Sequence, residues 1–219
     1  MEAEEIFYRR RLPHWQPPGA TIFITWRLYG SLPREVIGRL TAERTRLDRE
    51  PKRVDETAPD RESRHNEAVF KAYDDYLDRS GHEPLWMRDE RISALVTNAL
   101  FHFNGERYDL IAFVVMANHV HVLLTPRQID GKDVLIRTIT QGLKGYTARE
   151  ANKLLSRTGQ RFWQEESFDR WARNRTDALR FATYIENNPV TAGLAKTPEE
   201  WRWSSAWERA YGRLAGTEL

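Results

Sequence analysis

The chain has 219 residues, of which 40% are hydrophobic and 30% are charged, and its formal net charge is +2. These values are typical of a globular protein and exclude a disordered chain. The sequence has no cysteine, which excludes disulfides, thiolate catalysis and cysteine-ligated metal sites. A metal would therefore have to bind histidine, carboxylate or amide groups.

The first third of the sequence predicts one strand and two charged helices. After the basic, proline-containing segment RRRLPHWQPPG, the β-branched and aromatic residues 20–28 predict a strand. Residues 34–50 predict a helix, and the segment EPKRVDETAPDRES predicts a linker before a second helix at about 63–79. We interpret the segment from about residue 40 to about residue 85 as a charged helical insertion.

The middle of the sequence predicts a β-hairpin flanked by helices. Apolar residues at helical spacing predict a helix over 89–103 that packs on a sheet. Residues 108–116 and 119–125 predict two strands, and the two residues between them predict a tight turn. Helical periodicity returns at about 132–155.

The last third predicts an extended or irregular segment, RFWQEESFDRWARN, and then a helix, TDALRFATYIENNPV, that ends at Asn187, Asn188 and Pro189. A tryptophan-rich tail follows at about 199–211. The order of elements predicts an α+β fold in which an antiparallel sheet packs with helices, and we expect residues 1–219 to form a single domain.

Two histidines lie one residue apart in the predicted strand "VVMANHVHVLL". Because side chains alternate between the faces of a strand, His119 and His121 share one face while Val120 and Val122 point to the other. The valines can fill a core, and the paired imidazoles suit a metal or a phosphate better than they suit packing.

The helix before Pro189 carries a phenol and an amide at helical spacing. Tyr184 and Asn188 are four residues apart, so they share one face and look out from the edge of the apolar stripe of Phe181 and Ile185. If this helix packs near the hairpin, two imidazoles and the Asn188 oxygen could bind a divalent cation while the Tyr184 hydroxyl attacks phosphorus.

The runs "MANHVHVLL", "QRFWQEESFDRWARN", "YIENNPVTAGL" and "WRWSS" resemble the HUH single-strand transposases with one catalytic tyrosine, and most closely the REP-associated tyrosine transposases. The resemblance extends from about Thr21 to Ser205. It implies an HUH/RRM-like core, metal ligands at His119, His121 and Asn188, and a nucleophile at Tyr184. The wider superfamily commonly has glutamine at the position of Asn188.

The resemblance also implies an activity. A protein of this family is a metal-dependent, sequence-specific nuclease and strand transferase that acts on single-stranded DNA at hairpins of palindromic repeats, in DNA transposition. The reaction passes through a 5′-phosphotyrosine intermediate, with Mg²⁺ or Mn²⁺ as the cation. The REP-associated branch favours a monomer, although some HUH transposases are dimers.

Arginines form two groups in the sequence. Guanidinium groups make good phosphate contacts, so we predict that both groups contact the DNA backbone. The alternative is a solvated surface with ion pairs to the abundant carboxylates. The predicted DNA-binding residues are Arg9, Arg10, Arg11, Arg170, Arg173, Arg175 and Arg180.

Other interpretations of the sequence stay open. The protein could be a hairpin DNA-binding protein that does not cut, or a metal-dependent phosphodiesterase in which Glu165 or Glu166 activates water. Tyr146 is a rival nucleophile, which we assign to helix packing. The acidic start and the lack of a long apolar run predict a cytoplasmic protein that does not contact a membrane.

Overall fold

The computed structural model describes residues 6–9, 13–79 and 83–214. The described residues form eight strands and six α-helices, and the predicted α+β class with an antiparallel sheet is confirmed. The strands are β1 (Ile6–Arg9), β2 (Pro13–Gln16), β3 (Ile22–Arg27), β4 (Tyr108–Val115), β5 (His119–Pro126), β6 (Gln128–Ile129), β7 (Lys132–Asp133) and β8 (Phe168–Trp171). The helices are α1 (Arg34–Arg49), α2 (Ala58–Arg79), α3 (Glu90–His102), α4 (Ile136–Leu154), α5 (Arg175–Thr191) and α6 (Ser205–Tyr211).

The main sheet has the strand order β4-β5-β3-β8, and every pair is antiparallel. The predicted hairpin forms β4 and β5, and β3 pairs along the other side of β5. In this register Thr25 lies opposite His121 and Arg27 lies opposite His119. Because directly opposed residues point to the same face, these four side chains share one face of the sheet.

Helices cover both faces of the sheet. On one face, α3 and α4 pack on a core that contains Val120, Val122 and Leu124. On the other face, α5 and α2 pack on a second core around Phe23 and Leu123. The predicted alternation of β5 is confirmed, because its valines and its histidines lie on opposite faces.

The segment of about 40–85, predicted to be a charged insertion, contains most of the helical hairpin α1–α2, which packs on the sheet. Phe70 of α2 stacks on Phe168 of β8 with ring centroids 4.5 Å apart. The predicted linker up to residue 63 was partly wrong, since α2 begins at Ala58. Pro59 falls in the first turn, where the missing N–H is not needed, and the Arg64 ion pair with Glu56 at 2.8 Å stabilises this end.

Two other predicted helix ends differ from the structure. α4 begins at Ile136 and not at 132, because Lys132–Asp133 pairs with Gln128–Ile129 as a short hairpin. α5 continues through Pro189 to Thr191, so the predicted stop at Asn187 to Pro189 was early. A proline removes one intrahelical hydrogen bond, and here only two helical residues follow it.

The tryptophan-rich tail lies along β4 at the edge of the sheet. Val115 N–H donates to the Trp203 carbonyl at 2.8 Å, and Phe113 N–H donates to Ser205 Oγ at 3.0 Å. The Trp201 indole N–H donates to the Val115 carbonyl at 3.1 Å. The tail therefore satisfies polar groups on an edge strand that would otherwise be available for pairing.

The β1–β2 hairpin was not predicted. It lies at the opposite edge of the sheet, where β2 contacts β8. The Gln16 side chain accepts from Ile136 N–H at 2.9 Å and donates to the Val134 carbonyl at 3.1 Å, which fixes the start of α4. No helix among the described residues is long and apolar enough to span a bilayer.

Candidate metal centre and nucleophile

His119 and His121 lie side by side on the face of the sheet that α2 and α5 cover. Both are 0% exposed, and their ring centroids are 4.6 Å apart. Two imidazoles in contact within a protein interior are not explained by packing alone, since each ring brings two nitrogens that need partners.

A polar neighbour fixes each imidazole through its Nδ1 atom. His119 Nδ1 lies 2.7 Å from Asn118 Oδ1, and Asn118 Nδ2 in turn donates to the Leu77 carbonyl at 3.2 Å. The amide therefore presents its oxygen to His119, which places the proton on Nδ1. His121 Nδ1 lies 2.7 Å from Thr25 Oγ1. Such contacts orient imidazoles that bind a metal through Nε2.

His119 is held in its neutral form. Burial, and then the neighbouring His121, lower the pKa of His119 to about 3, against smaller opposing effects of Asp74 and Asn188. At neutral pH His119 therefore carries no charge and its Nε2 keeps a lone pair. A neutral imidazole is the form that binds metals.

Asp74 of α2 completes a group of potential metal ligands. Its side chain is 1% exposed, and Oδ1 lies 3.2 Å from His121 Nε2. The ligand atoms of Asp74, His119 and His121 all lie within 4.8 Å of one another. Burial raises the pKa of Asp74, but the interactions with His121 and His119 outweigh burial and hold this pKa below its usual value.

Tyr184 of α5 reaches the same cluster. Its hydroxyl donates a hydrogen bond to Asp74 Oδ2, and its ring centroid lies 5.9 Å from that of His121. Tyr184 is nevertheless 38% exposed. A large substrate can therefore approach the phenol from solvent while the hydroxyl stays beside the buried ligands.

Asn188 lies one turn beyond Tyr184 and is 1% exposed, so it is more buried than predicted. Its side chain forms a hydrogen bond with His119. The difference follows from the longer α5, because the turn around Pro189 packs on the sheet and does not end at its edge. The structure thus brings together all four residues predicted for the catalytic and metal sites: His119, His121, Tyr184 and Asn188.

Asp74 was not predicted to belong to the site. Several carboxylates are close to it in α2, and nothing in their spacing to the histidines distinguishes one of them. A signal was present in the helical pattern, since Phe70, Tyr73 and Leu77 place residue 74 on their apolar stripe. A carboxylate on the apolar face of a helix is rare unless it is paired.

The rival residues lie elsewhere. Tyr146 is exposed on α4, which packs on the opposite face of the sheet, and the guanidinium of Arg149 lies over its ring. Neither Glu165 nor Glu166 belongs to the cluster formed by the histidines and Asp74.

The arginines predicted to bind DNA are partly engaged within the protein. Arg170 of β8 and Arg180 of α5 lie 3.7 and 4.0 Å from carboxylate oxygens of Glu67, and Arg180 also lies 3.5 Å from Asp177. Arg173 lies between β8 and α5, and Arg175 is the first residue of α5. Arg9 belongs to β1, whereas Arg10 and Arg11 lie outside the described residues.

The donor set fits a divalent cation. Imidazole nitrogens with a carboxylate and an amide oxygen suit Mn²⁺, and the oxygens also suit Mg²⁺. Adjacent ligands bound at about 2.1 Å are about 3 Å apart, and the Nε2 of His121 and Oδ1 of Asp74 are separated by 3.2 Å. Asp74, His119 and His121, with Asn188 beside them, could therefore hold the ion without a large rearrangement.

Comparison with known proteins supports the fold. No protein-family model matches the sequence, and no curated protein matches it. The structure is similar to that of a REP-associated tyrosine transposase bound to a REP hairpin, with a TM-score of 0.50 and 16% sequence identity. The match covers 97% of this chain and 92% of that chain. The predicted resemblance is thereby confirmed at the level of the fold.

Proposed function

We propose that the protein is a metal-dependent nuclease and strand transferase that cleaves single-stranded DNA at hairpins through Tyr184. One observation carries the proposal: the Tyr184 hydroxyl is hydrogen-bonded to Asp74, whose other oxygen lies 3.2 Å from His121 Nε2. A nucleophile from α5 thus meets a candidate metal site built from β5 and α2. The shared fold with a transposase bound to a REP hairpin supports the choice of substrate.

The residues that would hold the cation are His119, His121 and Asn188, with Asp74 as an additional ligand. When bound, Mg²⁺ or Mn²⁺ would polarise the scissile phosphate and neutralise charge on its oxygens. Asn118 and Thr25 orient the two imidazoles from behind. One ligand atom of each imidazole lies within 4.8 Å of the other and of a ligand atom of Asp74, and the contacts with Asn118 and Thr25 would hold the rings in this arrangement.

Tyr184 supplies the nucleophile. A phenol has a pKa near 10, so its oxygen needs a partner that draws the proton away. Asp74 Oδ2 accepts the hydrogen bond from this hydroxyl and is placed for that role. A bond forms between the phenolic oxygen and phosphorus as the bond to the DNA 3′ oxygen breaks. The phenolic proton passes to Asp74, and the 3′ oxygen leaves with the electron pair and takes up a proton from solvent.

The product of this step would be a 5′-phosphotyrosine and a DNA 3′-hydroxyl. One phosphodiester replaces another, so the strand could be passed to a second 3′-hydroxyl without ATP. We further propose that the chain works as a single-domain monomer. The arginines around β8 and the start of α5 would contact the phosphates of the bound strand.

The proposal can be tested with single-stranded oligonucleotides that carry a palindromic hairpin between randomised tails, labelled at the 5′ or the 3′ end. With Mn²⁺ or Mg²⁺, the wild-type protein should form a covalent adduct that survives a denaturing gel and retains only the 3′ label. Tyr184→Phe should form no adduct and still bind the hairpin, whereas Tyr146→Phe, the matched control, should behave as wild type.

The two alternatives give different results in the same assay. Cleavage without an adduct, unaffected by Tyr184→Phe, would point to a phosphodiesterase that activates water. Tight hairpin binding with no cleavage by any variant would point to a DNA-binding protein that does not cut.

A further inference from the structure

A cavity lies between the α1–α2 hairpin and the segment that leads into β8, and we call it the insertion cleft. Its volume is about 450 Å³, and Arg27, Phe70, Tyr73, Glu166 and Phe168 contribute to its lining. Small-molecule sites are commonly about 300–1,000 Å³, so the cleft is large enough for one nucleotide. Asp74, His119 and His121 do not line this cavity, so the cleft is separate from the candidate metal site.

Arg27 is a buried cation on the wall of the insertion cleft. It is 5% exposed and lies directly opposite His119 on the metal-facing side of the sheet. Its Nη1 meets the Leu28 carbonyl at 3.4 Å and Ser31 Oγ at 3.3 Å, which are long hydrogen bonds. Among the described residues, no carboxylate lies within ion-pairing distance of this guanidinium.

A buried charge without a partner of opposite sign is costly. An arginine cannot relieve this cost by losing its proton. The guanidinium of Arg27 also forms a hydrogen bond with the Tyr73 hydroxyl and lies 5.9 Å from the Tyr73 ring centroid, but neither contact brings a negative charge. An anion bound in the cleft would supply what the protein lacks at this position, and a phosphate matches the two-pronged geometry of the guanidinium.

An aromatic wall separates the insertion cleft from the metal site. Phe70 stacks on Phe168, and on its other side it lies 6.1 Å from the Tyr184 ring and 6.2 Å from the His121 ring, measured between centroids. A strand attacked by Tyr184 therefore passes within about one nucleotide of the cleft. Exposed aromatic faces bind unpaired bases by stacking.

We infer that the insertion cleft binds one unpaired nucleotide of the DNA strand next to the cleavage site, with its phosphate on Arg27 and its base against the rings of Tyr73 and Phe168. This inference rests on the proposed function and assigns a subsite to it. Glu166, which also lines the cleft, can accept hydrogen bonds from the amino groups of a base. The α1–α2 hairpin would thus place a base-binding pocket beside Tyr184.

The test uses a variant that fills the cleft. Thr41 is an exposed residue of α1 that lines the cavity, so Thr41→Trp should block the cleft without disturbing the core. The next residue, Ala42, is also exposed and does not line the cavity, so Ala42→Trp is the matched control. Circular dichroism would confirm that both variants are folded.

Binding is measured by fluorescence anisotropy with EDTA present, on hairpin oligonucleotides in which each unpaired position is made abasic in turn. The wild-type protein and Ala42→Trp should each lose about tenfold in affinity at one position beside the cleavage site. Thr41→Trp should lose about tenfold on the intact strand and lose nothing more when that position is abasic.

The inference would be overturned if Thr41→Trp matched Ala42→Trp on every oligonucleotide, or if no single abasic position affected the wild-type protein. Adduct formation by the same proteins separates this failure from a failure of the proposed function. A wild-type adduct together with unchanged binding by Thr41→Trp would remove the cleft from the account and leave cleavage by Tyr184 in place. No binding to any hairpin would overturn both.

Discussion

The two faces of β5 differ in what their residues require from the rest of the protein. Val120 and Val122 need only apolar volume, which α3 and α4 supply. His119 and His121 need hydrogen-bond partners, and these come from a neighbouring strand, a turn and two helices. One strand thus separates a face that stabilises the fold from a face that carries chemistry.

The needs of the histidine face account for the position of helix α2. A buried pair of imidazoles cannot be covered by an apolar helix without leaving ring nitrogens unsatisfied. Helix α2 covers them with Asp74 while Phe70 and Leu77 of the same helix make apolar contacts. The α1–α2 hairpin therefore contributes Asp74 to the candidate site.

The largest expected effect on Mn²⁺ binding comes from changing a residue on the histidine face of β5, and a change on the valine face is its control. His121→Ala should weaken Mn²⁺ binding by at least about a hundredfold, because a direct ligand is lost. Leu124→Ala, on the opposite face of the same strand, should leave Mn²⁺ affinity unchanged and lower the free energy of unfolding by about 2–5 kcal/mol. Calorimetric titration with Mn²⁺ and urea denaturation measure the two quantities. Equal Mn²⁺ affinity in both variants would contradict the division between the faces.

A smaller effect is expected at Asp74. Asp74→Asn keeps the shape of the side chain but removes its charge, so Mn²⁺ binding should weaken by about fiftyfold. Asp75→Asn changes the neighbouring carboxylate, which is not part of the cluster, and should have no effect. Electron paramagnetic resonance of bound Mn²⁺ measures both. If the two variants bound Mn²⁺ equally, Asp74 would not be a ligand.

Thr25 tests whether contacts behind the ligands matter. Thr25→Val keeps the side-chain volume and removes the hydroxyl that meets His121 Nδ1 at 2.7 Å. Mn²⁺ affinity should fall by about tenfold, as is usual when a residue behind a histidine ligand is changed. Thr21→Val, which removes a hydroxyl that bonds to Thr125 near the other end of β5, provides the control and should bind Mn²⁺ normally.

The smallest effect concerns the DNA backbone. Arg180→Gln should reduce the slope of log affinity against log salt by roughly 0.7, which corresponds to one phosphate contact with single-stranded DNA. Arg149→Gln, on the opposite side of the sheet, should leave the slope unchanged. An unchanged slope in Arg180→Gln would mean that its contacts with Glu67 and Asp177 are its whole role.

The features of this molecule that the sequence predicts are those that depend on residues close together in the chain. Alternation within β5 places two histidines on one face, and the stripe of Phe181 and Ile185 identifies α5 as a docked helix. The contact of Asp74 with Tyr184 joins residues 110 positions apart, and no local pattern contains that information. The continuation of α5 past Pro189 likewise depends on tertiary packing, which overrides the preference of proline to end a helix.

The measurement that tests the central claim most directly is the identity of the amino acid joined to DNA. Adduct formed by the wild-type protein with Mn²⁺ and hairpin DNA would be trimmed with a nuclease, digested with trypsin and sequenced by tandem mass spectrometry. We predict that the peptide containing Tyr184 carries a nucleotide linked through its 5′-phosphate. A nucleotide on any other residue, or cleaved DNA with no modified peptide, would contradict the account.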